Sequence, residues 1–240
     1  MNPLITTCAV LLALHSSVAI AQIPDDSRQL VVVTTPGWNA VQGLAQRYER
    51  HAQGFQKVGE PFAIVVGKNG MAWGTGITAN SPDQQPLKRE GDGKAPAGIF
   101  RLGDAFGYAP TASTRLPYTA STATLECVDD SQSSHYNTLV DGSVVTKDWT
   151  SSERMLRKDQ LYRQGIFVEH NTPASAKGGS CIFLHIWRNV SSGTLGCTAM
   201  DPAHIQALFA WLDPRANPLL VQLPAAQYAL YRERWKLPSP

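Results

Sequence analysis

The chain has 240 residues and a formal net charge of +2, with 43% hydrophobic and 17% charged residues. This composition is typical of a globular protein and excludes a chain that is disordered throughout. The Lys and Arg residues are scattered and form no basic stripe, so the sequence indicates no nucleic-acid partner. It contains no internal repeat and no low-complexity tract, which favours one domain with a sizeable core.

Residues 1–21 are typical of a secretory signal peptide. No charged side chain occurs in 1–17, and 4–14 is mostly apolar. Ala19-Ile20-Ala21 has the small-x-small form of a cleavage site, so the mature chain is expected to begin at Gln22. The apolar run is too short to span a bilayer. We therefore expect an exported protein of the periplasm or cell envelope, with no membrane span after signal cleavage.

The first part of the mature chain predicts strands around one helix. The β-branched run 30–34 predicts a strand, and 62–66 predicts another. Asn69-Gly70 predicts a hairpin turn, with 71–75 as the return strand. Between the first two strands, 38–52 is predicted to be an amphipathic helix. The apolar residues at helical spacing in that segment are Trp38, Val41, Leu44, Ala45 and Tyr48.

The middle of the chain is rich in turn-forming residues. Residues 90–98 predict a loop that opens into a strand at Ile99. A long loop with short strands is expected over 103–125. The composition of 152–163 favours a helix, and 166–168 favours a strand.

The C-terminal part has clear helix signals. Asp201 can cap a helix, and Pro202 suits its first position. A last strand is predicted at 219–223 and a short helix at 225–235. These patterns together predict a mainly β fold with peripheral helices.

The most informative stretch is 181–200, where an apolar run delivers His185 and a Ser/Gly loop leads to Gly196-Cys197. A free thiol has a pKa of about 8.5, so a nearby imidazole is needed to take its proton. The expected result is an imidazolium–thiolate pair, whose imidazole can later protonate a leaving amine. Gly196 would let the backbone turn and aim the Cys197 N–H at an oxyanion. The alternative is a structural cysteine beside a core histidine.

This stretch resembles the catalytic signature of the L,D-transpeptidases with a YkuD-type domain. That signature is a His on a strand, a loop, and then Ser/Thr-x-Gly-Cys, which here reads His185 and Thr194-Leu195-Gly196-Cys197. Many members have a second His where Leu195 stands and an Arg shortly after the Cys. Here Thr198-Ala199-Met200 follows, so the sequence is closer to the branch that reads Gly-Cys-Thr-Ala-Met.

The resemblance implies a YkuD-like β-sandwich or open barrel, with one catalytic domain over 22–240 and its core at about 62–200. It also implies an exported cysteine acyltransferase that acts on peptidoglycan stem peptides. Cys197 would form a thioester with the third stem residue, a diaminopimelate or lysine, and release D-Ala. The Ile186 carbonyl would orient the imidazole, and an acceptor amine would resolve the thioester. No cofactor or metal is implied.

Further residues are candidates for substrate binding. Arg188 and Thr194 lie between the base and the nucleophile, and Arg188 could meet a substrate carboxylate or be solvated. Lys94 belongs to a segment that resembles the family's Asp/Lys-x-Pro-x-Gly-x-Phe stretch and could face the donor peptide. His170 and Asn171 could line the cleft if the strands 166–168 and 181–184 are neighbours. A hydrogen-bonded structural histidine is the alternative for His170.

Three cysteines follow the predicted signal peptide, namely Cys127, Cys181 and Cys197. An odd number in an exported protein suggests one disulfide and one free thiol. If Cys197 is the nucleophile, Cys127 pairs with Cys181. The alternative is three reduced cysteines. A zinc site is disfavoured because no Cys-x-x-Cys or His-x-x-x-His spacing is present.

Three other functions compete with the transpeptidase. Water could resolve the same thioester, which would make the protein an L,D-carboxypeptidase or amidase. A non-catalytic wall-binding module would not need the Cys–His pair. A papain-like protease has the cysteine before the histidine, and here the order is reversed.

Overall fold

The computed structural model describes residues 22–77 and 85–239, so the predicted signal peptide lies outside the described residues. The described part is mainly β with two α-helices, which confirms the predicted class. The helices are α1 Pro202–Trp211 and α2 Ala225–Tyr231. The strands are β1 Gln29–Thr35, β2 Gln42–His51, β3 Gly54–Val65, β4 Met71–Trp73, β5 Ala95–Gly107, β6 Tyr118–Ala120, β7 Leu125–Val128, β8 Leu139–Asp141, β9 Ser152–Arg154, β10 Gln164–Val168, β11 Phe183–Ile186, β12 Thr198–Met200 and β13 Leu219–Pro224.

The large sheet closes on itself. Its strands run in the order β10, β11, β12, β3, β2, β1, β13 and β5, and β5 pairs back with β10. The ends of β5 also pair with β4 and β6. Closure leaves the barrel strands no free edge, and their inward side chains form the main apolar core.

The predicted strands at 30–34, 62–66, 166–168 and 219–223 coincide with strands of this barrel. The first of them lies within β1, which pairs with β2 on one side and with β13 on the other. Its residues are almost all buried, as expected for a β-branched run with neighbours on both edges.

The predicted helix at 38–52 is wrong, because most of this segment is the strand β2. Its pairing with β3 shifts register between Ala45 and Arg47, which marks a β-bulge. An extra residue in one strand interrupts the alternation of buried and exposed side chains along it. As a result Ala45 and Tyr48 are both buried although they are three positions apart, and this spacing imitates a helix.

The predicted return strand at 71–75 also pairs differently from the prediction. The turn at Asn69-Gly70 is present, with the Gly70 N–H donating to the Gly67 carbonyl at 2.8 Å. The chain then leaves the hairpin, and β4 runs parallel to the start of β5. The loop predicted over 103–125 starts later, because β5 extends to Gly107.

The predicted helix at 152–163 is likewise wrong. The segment begins as β9, which pairs with β7, and continues in turns. Met155 and Tyr162 are buried with Phe106 and Phe183 against the outside of the barrel. Tertiary burial of these side chains overrides the helical composition of the segment.

A second sheet of three strands, in the order β8, β7 and β9, lies beside the barrel. A disulfide joins Cys127 on β7 to Cys181, which directly precedes the barrel strand β11. The expected pairing of these cysteines is therefore present, and Cys197 is free. Cys181 has a left-handed φ of 53°, and its N–H donates to the Asn137 side chain.

Side chains on β11 alternate between two apolar clusters. Leu184 and Ile186 belong to the core of the barrel. Phe183 belongs to the outer cluster, which also holds the disulfide and Cys197. Because alternate residues of a strand face the same side, His185 shares the outer side with Phe183.

A buried polar bridge lies just behind the free cysteine. The Thr198 hydroxyl donates to the Gln222 side chain at 2.6 Å, and the Gln222 amide donates to the Pro96 carbonyl at 2.8 Å. All three residues lie on barrel strands, so the bridge holds β12 in place relative to β13 and β5. It also satisfies polar groups that would otherwise be costly to bury.

The helix α1 begins as predicted, with the Asp201 carboxylate accepting from the Ala203 N–H at 2.9 Å. The terminal helix ends at Tyr231, earlier than the predicted 235. Neither helix in the described ranges has the length and apolar character that a membrane crossing requires.

The disulfide leads to a testable prediction. In protein that begins at Gln22, alkylation of the unfolded, unreduced chain should label Cys197 alone, and all three cysteines should react after reduction. Reduction should also lower stability by roughly 4 kcal/mol, because the bond closes a loop with a sequence separation of 54. Mass spectrometry of the peptides and thermal melts measure both effects. Labelling of Cys127 without reductant would contradict the bond.

Candidate active site

A cleft of about 1150 Å³ lies between the outside of the barrel and the three-stranded sheet. Its lining comes from three parts of the chain. The barrel side contributes much of 180–188 and 192–199, the other side contributes much of 152–162, and the loop at 88–91 adds Lys88 and its neighbours. A cleft of this size can hold a peptide, and both candidate catalytic residues line it.

Cys197 lies at the turn that enters β12 and is 6% exposed. Its sulfur accepts a hydrogen bond from the Phe183 N–H at 3.3 Å. The thiol donates in turn to the Cys181 carbonyl at 3.5 Å. The nucleophile candidate is thus held by the backbone of the strand that carries His185.

The turn before the thiol depends on Gly196 and Thr194. A Cβ on Gly196 would meet Ile182 Cδ1 and the Lys94 carbonyl at 3.3 Å, so the position has little space for a side chain. The Thr194 hydroxyl donates to the Cys197 carbonyl at 2.6 Å and accepts from the Gly196 N–H at 3.1 Å. Thr194 lines the cleft, but its hydroxyl is engaged in closing this turn.

His185 is 5% exposed and lies on the strand next to the one that follows the thiol, with β11 and β12 paired in parallel. Its Nδ1 lies 2.8 Å from the Ile186 carbonyl oxygen. A carbonyl can only accept, so Nδ1 carries a proton, and in the neutral imidazole Nε2 then keeps its lone pair. The Ile186 carbonyl that the resemblance implied thus orients the ring in the way that a base acting through Nε2 requires.

Burial favours the neutral forms of both groups. It lowers the pKa of His185 to about 4, although the Ile186 carbonyl opposes this shift. Burial also raises the pKa of the Cys197 thiol well above its usual range, and the negative charge of Glu153 adds to the effect. The Phe183 N–H and the Lys88 charge oppose it only in part. Burial therefore disfavours the expected imidazolium–thiolate pair in the free protein, so we expect the proton to move when the substrate is attacked.

Tyr162 is a cleft residue that the sequence did not reveal. Its ring packs edge-on against the His185 ring, with centroids 5.1 Å apart. Its hydroxyl donates a hydrogen bond to the Glu153 carboxylate. The Arg157 guanidinium lies 4.9 Å from the centre of the same ring. Since the segment had a helical composition, no local pattern placed these side chains at the thiol.

Lys88 was also missed, because it precedes a turn-rich loop without a motif of its own. Its side chain is 3% exposed and lines the cleft. The ammonium lies 3.9 Å from where a Gly196 Cβ would be, and it pairs with Asp92 at 2.7 Å. Only the fold brings this cation next to the Gly-Cys turn.

Arg188 and Lys94 differ in their positions. Arg188 lines the cleft with a side chain that is 68% exposed, and its guanidinium lies 4.0 Å from Asp159. The Lys94 ammonium instead donates to the Asn69 carbonyl at 2.6 Å. The Lys94 backbone carbonyl, rather than its side chain, lies against the Gly196 turn.

His170 and Asn171 are not among the residues that line the cleft, which corrects the expectation that they would line it beside His185. The strands β10 and β11 are neighbours, but they are antiparallel, with Gly165 opposite His185. The chain beyond β10 therefore runs away from His185. His170 is 2% exposed and bonds to the Gly178 carbonyl, so it matches the structural alternative. The Asn171 amide is bonded to backbone carbonyls of the loop that follows it.

The described residues contain no cluster of His, Cys, Asp or Glu side chains arranged to hold a metal ion.

Comparison with known proteins adds the family. No curated protein matches the chain. A solved structure that is similar, "Structure of Bdellovibrio bacteriovorus Bd1075", is 12% identical with a TM-score of 0.41. The match covers 90% of this chain, which spans 57% of that one.

The family model of the YkuD L,D-transpeptidase catalytic domain matches residues 51–221. That range is more than half of the chain and contains both His185 and Cys197. The resemblance inferred from the sequence is confirmed, and the chain belongs to the YkuD family of L,D-transpeptidase catalytic domains.

Proposed function

We propose that the protein is an exported cysteine acyltransferase of the L,D-transpeptidase type that acts on peptidoglycan stem peptides. The observation that carries the proposal is the pair of Cys197 and His185 in one cleft, with His185 Nδ1 bound to the Ile186 carbonyl. Membership of the YkuD family supports the enzyme class and peptidoglycan as the substrate. The disulfide fits an oxidising compartment such as the periplasm or cell envelope.

The first half of the reaction forms a thioester. The Cys197 thiol gives its proton to His185 Nε2 as the sulfur attacks the carbonyl carbon of the third stem residue. The C–N bond to the terminal D-Ala then breaks, and Nε2 returns the proton to the departing amine. The backbone N–H of Cys197 is the proposed donor to the oxyanion that forms between these steps.

The second half transfers the acyl group. An acceptor amine attacks the thioester carbonyl, its proton moves to His185 Nε2, and the Cys197 sulfur leaves and regains a proton. If water attacks in place of the amine, the same site acts as an L,D-carboxypeptidase. Both routes use the same residues, and they differ only in what reaches the thioester.

A neutral resting pair suits this sequence of steps. The thiol has to rotate away from the Cys181 carbonyl toward Nε2, a rearrangement that substrate binding can drive. Tyr162, held by Glu153, keeps the imidazole ring in place during the transfer.

The charges that line the cleft suit a stem peptide. Arg188 is exposed at the cleft, 4.0 Å from Asp159, and can meet a substrate carboxylate. Glu153 and Asp129 line the same cleft and can approach a substrate ammonium. A stem peptide carries groups of both signs, so both kinds of contact are available to it.

A first prediction concerns the nucleophile. Cys197→Ala should remain folded and form no adduct with a tetrapeptide donor or a carbapenem, whereas the unmodified protein should gain the mass of the acyl group. Intact-mass spectrometry measures this directly. Cys127→Ala/Cys181→Ala, which keeps the free thiol, serves as the control and should still acylate where it is folded. An adduct on Cys197→Ala would contradict the assignment.

A second prediction concerns pH. The base must be neutral, and the pKa of His185 in the free protein is lowered to about 4. The kcat/KM of acylation should therefore stay level as the pH falls through the usual histidine pKa of about 6.5 and decline only near pH 4. His185→Gln should lose at least about 100-fold in rate. A decline centred near pH 6.5, with circular dichroism showing an intact fold, would refute a buried neutral base.

A third prediction separates the two fates of the thioester. Purified tetrapeptide muropeptide should give a cross-linked product when an acceptor amine is present, and D-Ala should be released in equal amount. Chromatography and mass spectrometry identify the products. Release of D-Ala with tripeptide alone, whatever the acceptor concentration, would replace the transpeptidase with the carboxypeptidase.

A further inference from the structure

Lys88 is a buried cation next to the nucleophile, and the proposed reaction does not yet use it. The aliphatic part of its side chain lies against Gly179, since a Cβ placed on Gly179 would be 3.1 Å from Lys88 Cε. Its tip reaches the Gly196 position, and the side chain is 3% exposed. A charged side chain buried to this extent requires partners, so the arrangement of its hydrogen bonds is informative.

The ammonium has three N–H donors, and two of them have known acceptors. One donates to Asp92 Oδ1 and another to the Arg89 carbonyl, both at 2.7 Å. Asp92 is held in turn by the backbone N–H groups of Arg89 and Lys94. The carboxylate thus fixes the ammonium in position and leaves a third donor beside the Gly-Cys turn.

The other cations that line the cleft are less suited to act at the thiol. Arg157 is bound in two-pronged fashion to Asp159, at 2.9 and 2.6 Å. Arg188 is 68% exposed, and Arg154 and Lys158 are exposed as well. Among the cleft residues that the structure describes, Lys88 is the cation that is both buried and adjacent to Gly196.

We propose that Lys88 binds the carboxylate of the stem residue that leaves when the thioester forms. The inference rests on the proposed function and adds a rule of specificity to it. Only an amide nitrogen and one carbon separate the attacked carbonyl from that carboxylate, so a cation beside Gly196 is within its reach. A carboxylate on the third N–H would complete the bonds of the ammonium with a charge-assisted hydrogen bond.

The consequence is a requirement for a free C-terminal carboxylate on the residue after the attacked carbonyl. A donor whose terminal carboxylate is replaced by an amide would place a neutral group at the ammonium and lose the ion pair.

Two synthetic tetrapeptide donors that differ only in a terminal carboxylate or carboxamide test the rule. Intact-mass spectrometry gives the single-turnover rate of thioester formation for each. The unmodified protein should acylate with the acid at least about tenfold faster than with the amide, as a charge-assisted hydrogen bond requires. Lys88→Met should slow the acid by about tenfold and leave the amide within about twofold.

Lys94→Met is the matched control, because it removes a nearby positive charge whose ammonium is bound to Asn69 instead. It should keep the preference for the acid. Lys88→Met leaves the Asp92 carboxylate without its cation and could destabilise the protein. The double variant Lys88→Met/Asp92→Asn removes both charges and provides a second test in which no unpaired charge remains. Thermal melts and alkylation of Cys197 report on folding in each variant.

Each remaining outcome is decisive. Equal slowing of both donors by Lys88→Met would overturn the carboxylate contact and assign Lys88 to the turn or the oxyanion. Equal rates for acid and amide in the unmodified protein would overturn this inference alone. Failure of the unmodified protein to form a thioester with either donor would overturn the proposed function as well.

Discussion

The alternation of side chains along β11 is the constraint on which the site depends. Leu184 and Ile186 fill the barrel, so Phe183 and His185 must face outward. A slip of one residue would bury the imidazole in the apolar core and expose two aliphatic side chains. The packing of the barrel therefore positions His185, the proposed base, and the Ile186 carbonyl on the same strand then orients its ring.

The second wall of the cleft comes from a different part of the fold. The strand β9 and the turns after it supply Glu153 and Tyr162, and the disulfide attaches this sheet to the strand of the base. Cys181 links the small sheet to the candidate site. Its sulfur makes the disulfide, and its carbonyl accepts a hydrogen bond from the Cys197 thiol. The position of the Cys197 thiol thus depends on how the small sheet is held against the barrel.

The features that could be predicted from the sequence are those set by residues close together in the chain. The Gly196-Cys197 turn, the strand before His185 and the cap of α1 depend on residues close together in the chain. The helix predicted at 38–52 failed because the bulge in β2 shifts its buried positions, and that bulge exists only through pairing with β3. Tyr162 and Lys88 reach the thiol through distant contacts, which no local pattern encodes.

The location of the cleft on the outer wall of a closed barrel has a consequence for access. A site in the mouth of a barrel is reached by the end of a polymer chain. A groove on the outside of a barrel can bind a side branch of a polymer network, however far away the ends of the polymer are. Stem peptides in a wall are such branches, anchored to glycan strands that cannot be threaded. Under the proposed function, such a branch enters the cleft from the side, so the protein needs no free glycan end to act on an intact network.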